Sequence, residues 1–199
     1  MTSQQELVSS SPTNEGILRT WVTIALGLYV ISGIAFAGFG AVGGDWAVVS
    51  DATGLILAAA LIVVVVLFHR LFSGEHRAVE ERNLGVAGMG LAIAGSAILV
   101  VGDAGDDPVI SIGIGLGLQF VGWGLFGVWF WLISRMASSS GRFGRRWIWA
   151  ARVACVSLIL GMVFTLALGP DSIPAASTLA VTFVSIVAWT LWTRKELVA

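Results

Sequence analysis

Charge is scarce in this chain. Only 12% of its 199 residues are Asp, Glu, Lys or Arg, whereas 57% are hydrophobic. A typical soluble domain carries about 25% charged residues, so lipid rather than water is the expected solvent. Cysteine is scarcer still. The one cysteine, Cys155, falls inside an apolar segment, which excludes a disulfide within the monomer and any dithiol redox pair. The net charge of −1 gives no basic footprint for nucleic acid. The two histidines, His69 and His76, both belong to the end of the second apolar segment and its following loop. A bis-histidine haem inside a bundle therefore has no ligands, and His69, Glu75 and His76 match no zinc spacing. There is no G-x-S-x-G element. Neither a cofactor nor a metal is expected.

Long apolar runs are what the chain has. A helix needs roughly 20 apolar residues to cross a bilayer core of about 30 Å. Six segments qualify, at 17–42, 47–69, 84–102, 109–134, 147–169 and 174–193. The expected fold is thus all-α, an integral membrane bundle of six transmembrane helices. Residues 1–16 read as a polar, acidic tail without the basic n-region of a signal peptide, 17–194 as the membrane domain, and 195–199 as a short C-terminal tail.

The sparse charges are sorted by sign. Arg19, Arg70, Arg77, Arg82, Arg135, Arg142, Arg145, Arg146, Arg152, Arg194 and Lys195 flank alternate ends of the six segments. Asp45, Asp51, Asp103, Asp106, Asp107 and Asp171 lie between those ends with no basic residue among them. Because short cytoplasmic loops hold an excess of Lys and Arg, both termini are expected in the cytoplasm, in a multi-pass protein of the cell membrane. Asp106-Asp107-Pro108, Gly169-Pro170-Asp171 and Gly43-Gly44-Asp45 are turn sequences, so the six spans read as three helical hairpins. Trp21, Trp129, Trp131, Trp147, Trp149, Trp189 and Trp192 fall near the basic ends, where amphipathic rings favour the interface. Trp46 marks the opposite boundary and Trp123 alone is mid-membrane.

Lipid gives helices no hydrophobic reason to associate, so stripes of small residues mark the expected contacts. Such stripes are Gly33-Ala37-Gly40-Gly44, Gly88-Ala92-Gly95-Gly102, Gly113-Gly117-Gly124 and Ala150-Ala154-Ser157-Gly161. Apart from Gly54 and Ala58, span 2 has no stripe; its run of Val and Leu predicts the most lipid-exposed helix.

A charge at mid-membrane costs at least about 2.5 kcal/mol and is the usual mark of function. None falls at the centre of a span, which argues against a proton-coupled transporter. Arg152 can snorkel to the interface; Asp51 either caps its helix or faces a wet vestibule. The deep polar group is Gln119, and Trp123 at i+4 shares its face. Gln119 reads first as a hydrogen bond between helices and second as a solute contact, with Trp123, Tyr29 and the Thr178-Thr182-Ser185 stripe as further lining. The six aspartates could form a cation-attracting cluster, though turn chemistry alone accounts for them.

Three Gly-rich hairpins, with Gly169-Pro170 closing span 5, Asp107-Pro108 at the middle corner and Arg135 and Arg194 ending hairpins, resemble the HdeD-type acid-resistance membrane proteins. The first hairpin lacks their proline corner, and span 4 is richer in tryptophan. The resemblance implies a stress-associated membrane role and no catalytic residues. The favoured reading is a non-enzymatic membrane protein, structural, stress-related or a subunit of a larger complex, with membrane lipid and further copies or other membrane proteins as partners. The alternatives are a small uncoupled channel or facilitator for a neutral solute, using Gln119, Trp123 and Tyr29, and a lipid-modifying enzyme using Glu75, His76, Glu80 and Glu81.

Overall fold

A computed structural model describes residues 12–42, 46–74, 77–102, 108–169 and 172–197. These residues form six helices and no strand: α1 (Pro12–Val42), α2 (Trp46–Leu71), α3 (Ala78–Gly102), α4 (Pro108–Ser140), α5 (Arg145–Leu168) and α6 (Ile173–Glu196). Each contains a segment long and apolar enough to cross a membrane, so the chain is a multi-pass membrane protein. The helices run past the apolar segments. α1 begins five residues earlier, inside the expected polar tail, α3 begins six residues earlier, and α4 ends six residues later. A helix does not end where hydrophobicity ends; its polar terminal turns continue until a backbone signal stops them. Gly169, at φ 88°, ends α5, and its N–H bonds Thr165 O at 3.0 Å. Only glycine adopts that region without strain. Ser172 then caps α6 by accepting from the Ala175 N–H at 3.4 Å.

Successive helices pack antiparallel, and among the described residues each backbone comes close only to those of its chain neighbours, until α6 returns to α1. The result is a closed ring of six helices. We call the end with the α1–α2, α3–α4 and α5–α6 connections the hairpin end, and the other the termini end. The α3–α4 interface is the most extensive and the α1–α6 seam the thinnest.

Backbone approach explains the α3–α4 contact. A Cβ on Gly88 would stand 2.8 Å from Gly122 O, one on Gly95 2.5 Å from Gly115 O, and one on Gly122 2.5 Å from Gly88 O. Gly88, Ala92 and Gly95 of the α3 stripe therefore pack as expected. The α4 stripe does not: Gly113 and Gly117 meet nothing, Gly124 meets only Met162, and Gly115 and Gly122 form the interface instead. The α5 stripe is buried throughout. In α1, Ala37 is exposed and Gly33 meets the ring of Phe183 on α6. Lipid exposure also differs from expectation. The best spanning window of α2 is 44% buried, the highest of the six, and that of α1 only 17%.

Aromatic rings fill the termini-end half of the ring. Phe68 is the hub, with Trp129, Phe143, Trp147 and Trp189 at centroid distances of 5.4 to 6.2 Å. Trp129, Trp147 and Trp189, expected at the interface, are buried in this core; Trp131 and Trp149 are exposed as expected. The tryptophans divide by helix face, which position near a span end cannot reveal. The Trp147 Nε1–H donates to Thr193 Oγ1 at 2.7 Å. Glu196 caps α5 by accepting from the Gly144 N–H at 2.6 Å, a carboxylate at the positive end of a helix dipole.

Candidate functional site

At the hairpin end the same axis is lined by smaller residues. Ser32, Gly33, Gly54, Ser96 and Gly161 face inward there, and the space they leave is a cavity of about 480 Å³. All six helices contribute to its wall. Tyr29, Gln119 and Trp123, the three residues expected to contact a solute, all line it, as does Asp51.

Gln119 is held by its neighbours. Its Nε2–H donates to Ser96 Oγ on α3 at 2.8 Å and reaches Asp51 Oδ1 on α2 at 3.5 Å, the long limit of a hydrogen bond. Gly95 makes the first bond possible, because a Cβ there would lie 2.9 Å from Gln119 Cγ. Gln119 thus links three helices and lines a space. Asp51 lies in the second turn of α2, too deep to cap it, so it belongs to the cavity wall. The rest of the expected acidic cluster, Asp45, Asp103, Asp106, Asp107 and Asp171, lies outside the described residues.

Aromatic groups form the other wall. Tyr29 stacks on Phe183 across the α1–α6 seam, centroids 5.2 Å apart. Trp123 meets Phe126 edge to face at 5.9 Å. The deeper space, bordered by Tyr29, Trp123, Phe126, Phe130 and Trp189, shrinks to about 20 Å³, about one water. Phe130 is in contact with Phe126 at 5.1 Å and with Trp189 at 5.0 Å, so rings close the axis toward the termini end. The expected hydroxyl stripe serves its own helix: Thr178, Thr182 and Ser185 donate to Pro174 O, Thr178 O and Val181 O at 2.7 to 2.8 Å. Of the three, only Thr182 lines the cavity.

Sequence reasoning missed Glu81. The expected third span begins at 84, but α3 already includes Glu81 and turns it inward, fully buried. Trp129 Nε1–H donates to Glu81 Oε1, while Oε2 has no partner. Glu80 is exposed, so the two glutamates do not converge, and Glu75 and His76 lie outside the described residues. The fragment His69 Nδ1 is within 2.9 Å of Ala78 O and helps hold the start of α3. No cluster of three His, Cys, Asp or Glu suited to a metal occurs among the described residues. The Glu80-Glu81 doublet beside a tryptophan-rich fourth span was the available signal; the inward turn was not in it.

What the site can do follows from its lining: aromatic faces and aliphatic walls for an apolar body, and a carboxylate, an amide and hydroxyls for one polar end. Comparison with protein-family models, with curated proteins and with solved structures finds no match for this chain.

Proposed function

We propose that this protein is a non-enzymatic membrane protein that binds a small amphipathic molecule inside its helix ring, as a solute-binding component or facilitator. The observation that carries the reading is the cavity of about 480 Å³ bounded by Asp51, Ser96 and Gln119 on one side and Tyr29 and Trp123 on the other. A bundle serving only as a scaffold gains nothing from an unfilled axis, since a packed core is denser and more stable. The polar end of the ligand meets Asp51 and Gln119, which favours a neutral or cationic group over an anion. Its apolar body lies against Tyr29, Phe183 and Trp123, where a cation also gains from the ring faces. The hairpin end, rich in aspartate, faces away from the cytoplasm in this reading, and the molecule enters from that side.

The test is ligand-dependent thermal stabilisation of the detergent-purified protein across neutral, cationic and anionic aromatic amphipaths of similar size. Saturable stabilisation by neutral or cationic members is expected, weakened about tenfold in Gln119→Ala and abolished by Gly54→Leu. Gly54 suits the filling substitution because its nearest foreign atom is Ser96 Oγ at 3.8 Å. If Gly54→Leu binds as the native chain does, the central cavity is not the site.

A further inference from the structure

A second space, of about 480 Å³, lies along α5 on the outside of the ring. It is unrelated to the axial cavity and shares none of its lining. Trp131 on α4 and Trp149 and Arg152 on α5 stand at one end; Val156, Leu160 and Val181 line the rest. Arg152 is the unusual member. α5 has 24 residues, about 36 Å against a hydrocarbon core of about 30 Å, and Arg152 lies seven residues in, about 10 Å from the helix start. Its Cα therefore lies within the apolar layer. It stands 5.6 Å from the Trp131 ring centroid, and its Nε reaches Ser134 Oγ at 3.4 Å. Among the described residues no carboxylate pairs with it; the ion pair found there is Arg142–Glu15.

From this charge and groove we infer that the protein holds an anionic phospholipid on the outer face of α5, its phosphate on Arg152 and an acyl chain along Val156 and Leu160. Three features support that occupant. A phosphate supplies the negative charge that no carboxylate among the described residues supplies, and guanidinium matches it with paired N–H donors. Trp131 and Trp149 are both exposed, as amphipathic rings are at the headgroup level. The stretch from Trp149 to Leu160 covers about 16 Å of helix, and below Arg152 it presents aliphatic side chains to a chain lying parallel to α5. Arg145 and Arg146, exposed at the start of the same helix, add positive potential at that end.

The test is native mass spectrometry of the full chain, released from detergent with phosphatidylglycerol and phosphatidylcholine at equal concentration. Phosphatidylglycerol should be retained at least fivefold over phosphatidylcholine. Arg152→Gln should remove most of that preference, whereas Arg70→Gln, at an exposed position on α2 away from the groove, should keep it. Leu160→Trp leaves the charge in place but fills the groove, and should lower retention of both lipids. Equal retention of the two lipids by the native chain overturns the proposal. So does an Arg152→Gln variant with native preference, displacement of the lipid by inorganic phosphate alone, or a lipid-free dimer protected at α5.

Discussion

At the scale of single residues, the pair Glu81–Trp129 has the most at stake. A carboxyl group buried with one donor and one orphaned oxygen is an expensive arrangement, because a polar atom without a partner in a dry core costs about 1–3 kcal/mol. The indole N–H depends on it in turn. Glu81→Gln keeps an acceptor for Trp129 while removing the carboxyl, and its unfolding midpoint in detergent should equal or exceed the native one. Glu81→Ala strands the indole N–H and opens a void; a loss of about 2–4 kcal/mol is expected from the two effects together. A Gln variant as unstable as the Ala variant would show that the carboxyl itself is needed. Glu81 was not legible in the sequence because a glutamate in a first helical turn looks the same whether it points to water or to the core. Gln119, Trp123 and Tyr29 were legible because polar and aromatic groups at mid-span have few uses. Their helper Ser96 was not, since a serine among glycines reads as one more small residue.

At the scale of elements, the α3–α4 pair is fixed by glycine on both sides. A methyl on Gly122 would meet Gly88 O at 2.5 Å and Ala92 N at 2.6 Å, and backbone cannot swing aside as a side chain can. Gly122→Ala should therefore lower stability by about 1–3 kcal/mol, measured by unfolding in mixed micelles. Gly117→Ala, at a position open on all sides, should be neutral or slightly stabilising through helix propensity. Equal effects at the two positions would mean that the close approach is not what holds the pair. Helix number and approximate limits were readable from apolar runs alone. Which face of each helix turns inward was harder, because in a membrane protein valine and leucine serve core and lipid equally well. That is why α2, with its Val and Leu run, read as lipid-facing and is the most buried instead, and why α4 was assigned the wrong glycines.

At the scale of the molecule, the ring has two unlike halves: packed rings at the termini end and an unfilled axis at the hairpin end. From charge sorting the hairpin end is expected outside the cell and the termini end inside, and a single cysteine makes that expectation convenient to check. In a Cys155→Ala background, Asp171→Cys should react in intact cells with a membrane-impermeant maleimide, and Ser73→Cys only after permeabilisation. The reverse pattern would invert the orientation and put the cavity on the cytoplasmic side.

The closing contact of the ring joins α1 to α6, the two described helices farthest apart along the chain. During synthesis α1 to α5 can pair in order as they leave the ribosome, but α1 must wait for α6 before the circle is complete. Without α6 the ring is an open trough, and the position of Trp189 among the aromatic rings is empty. A chain truncated before α6 would thus lose both the seam and a central member of the plug.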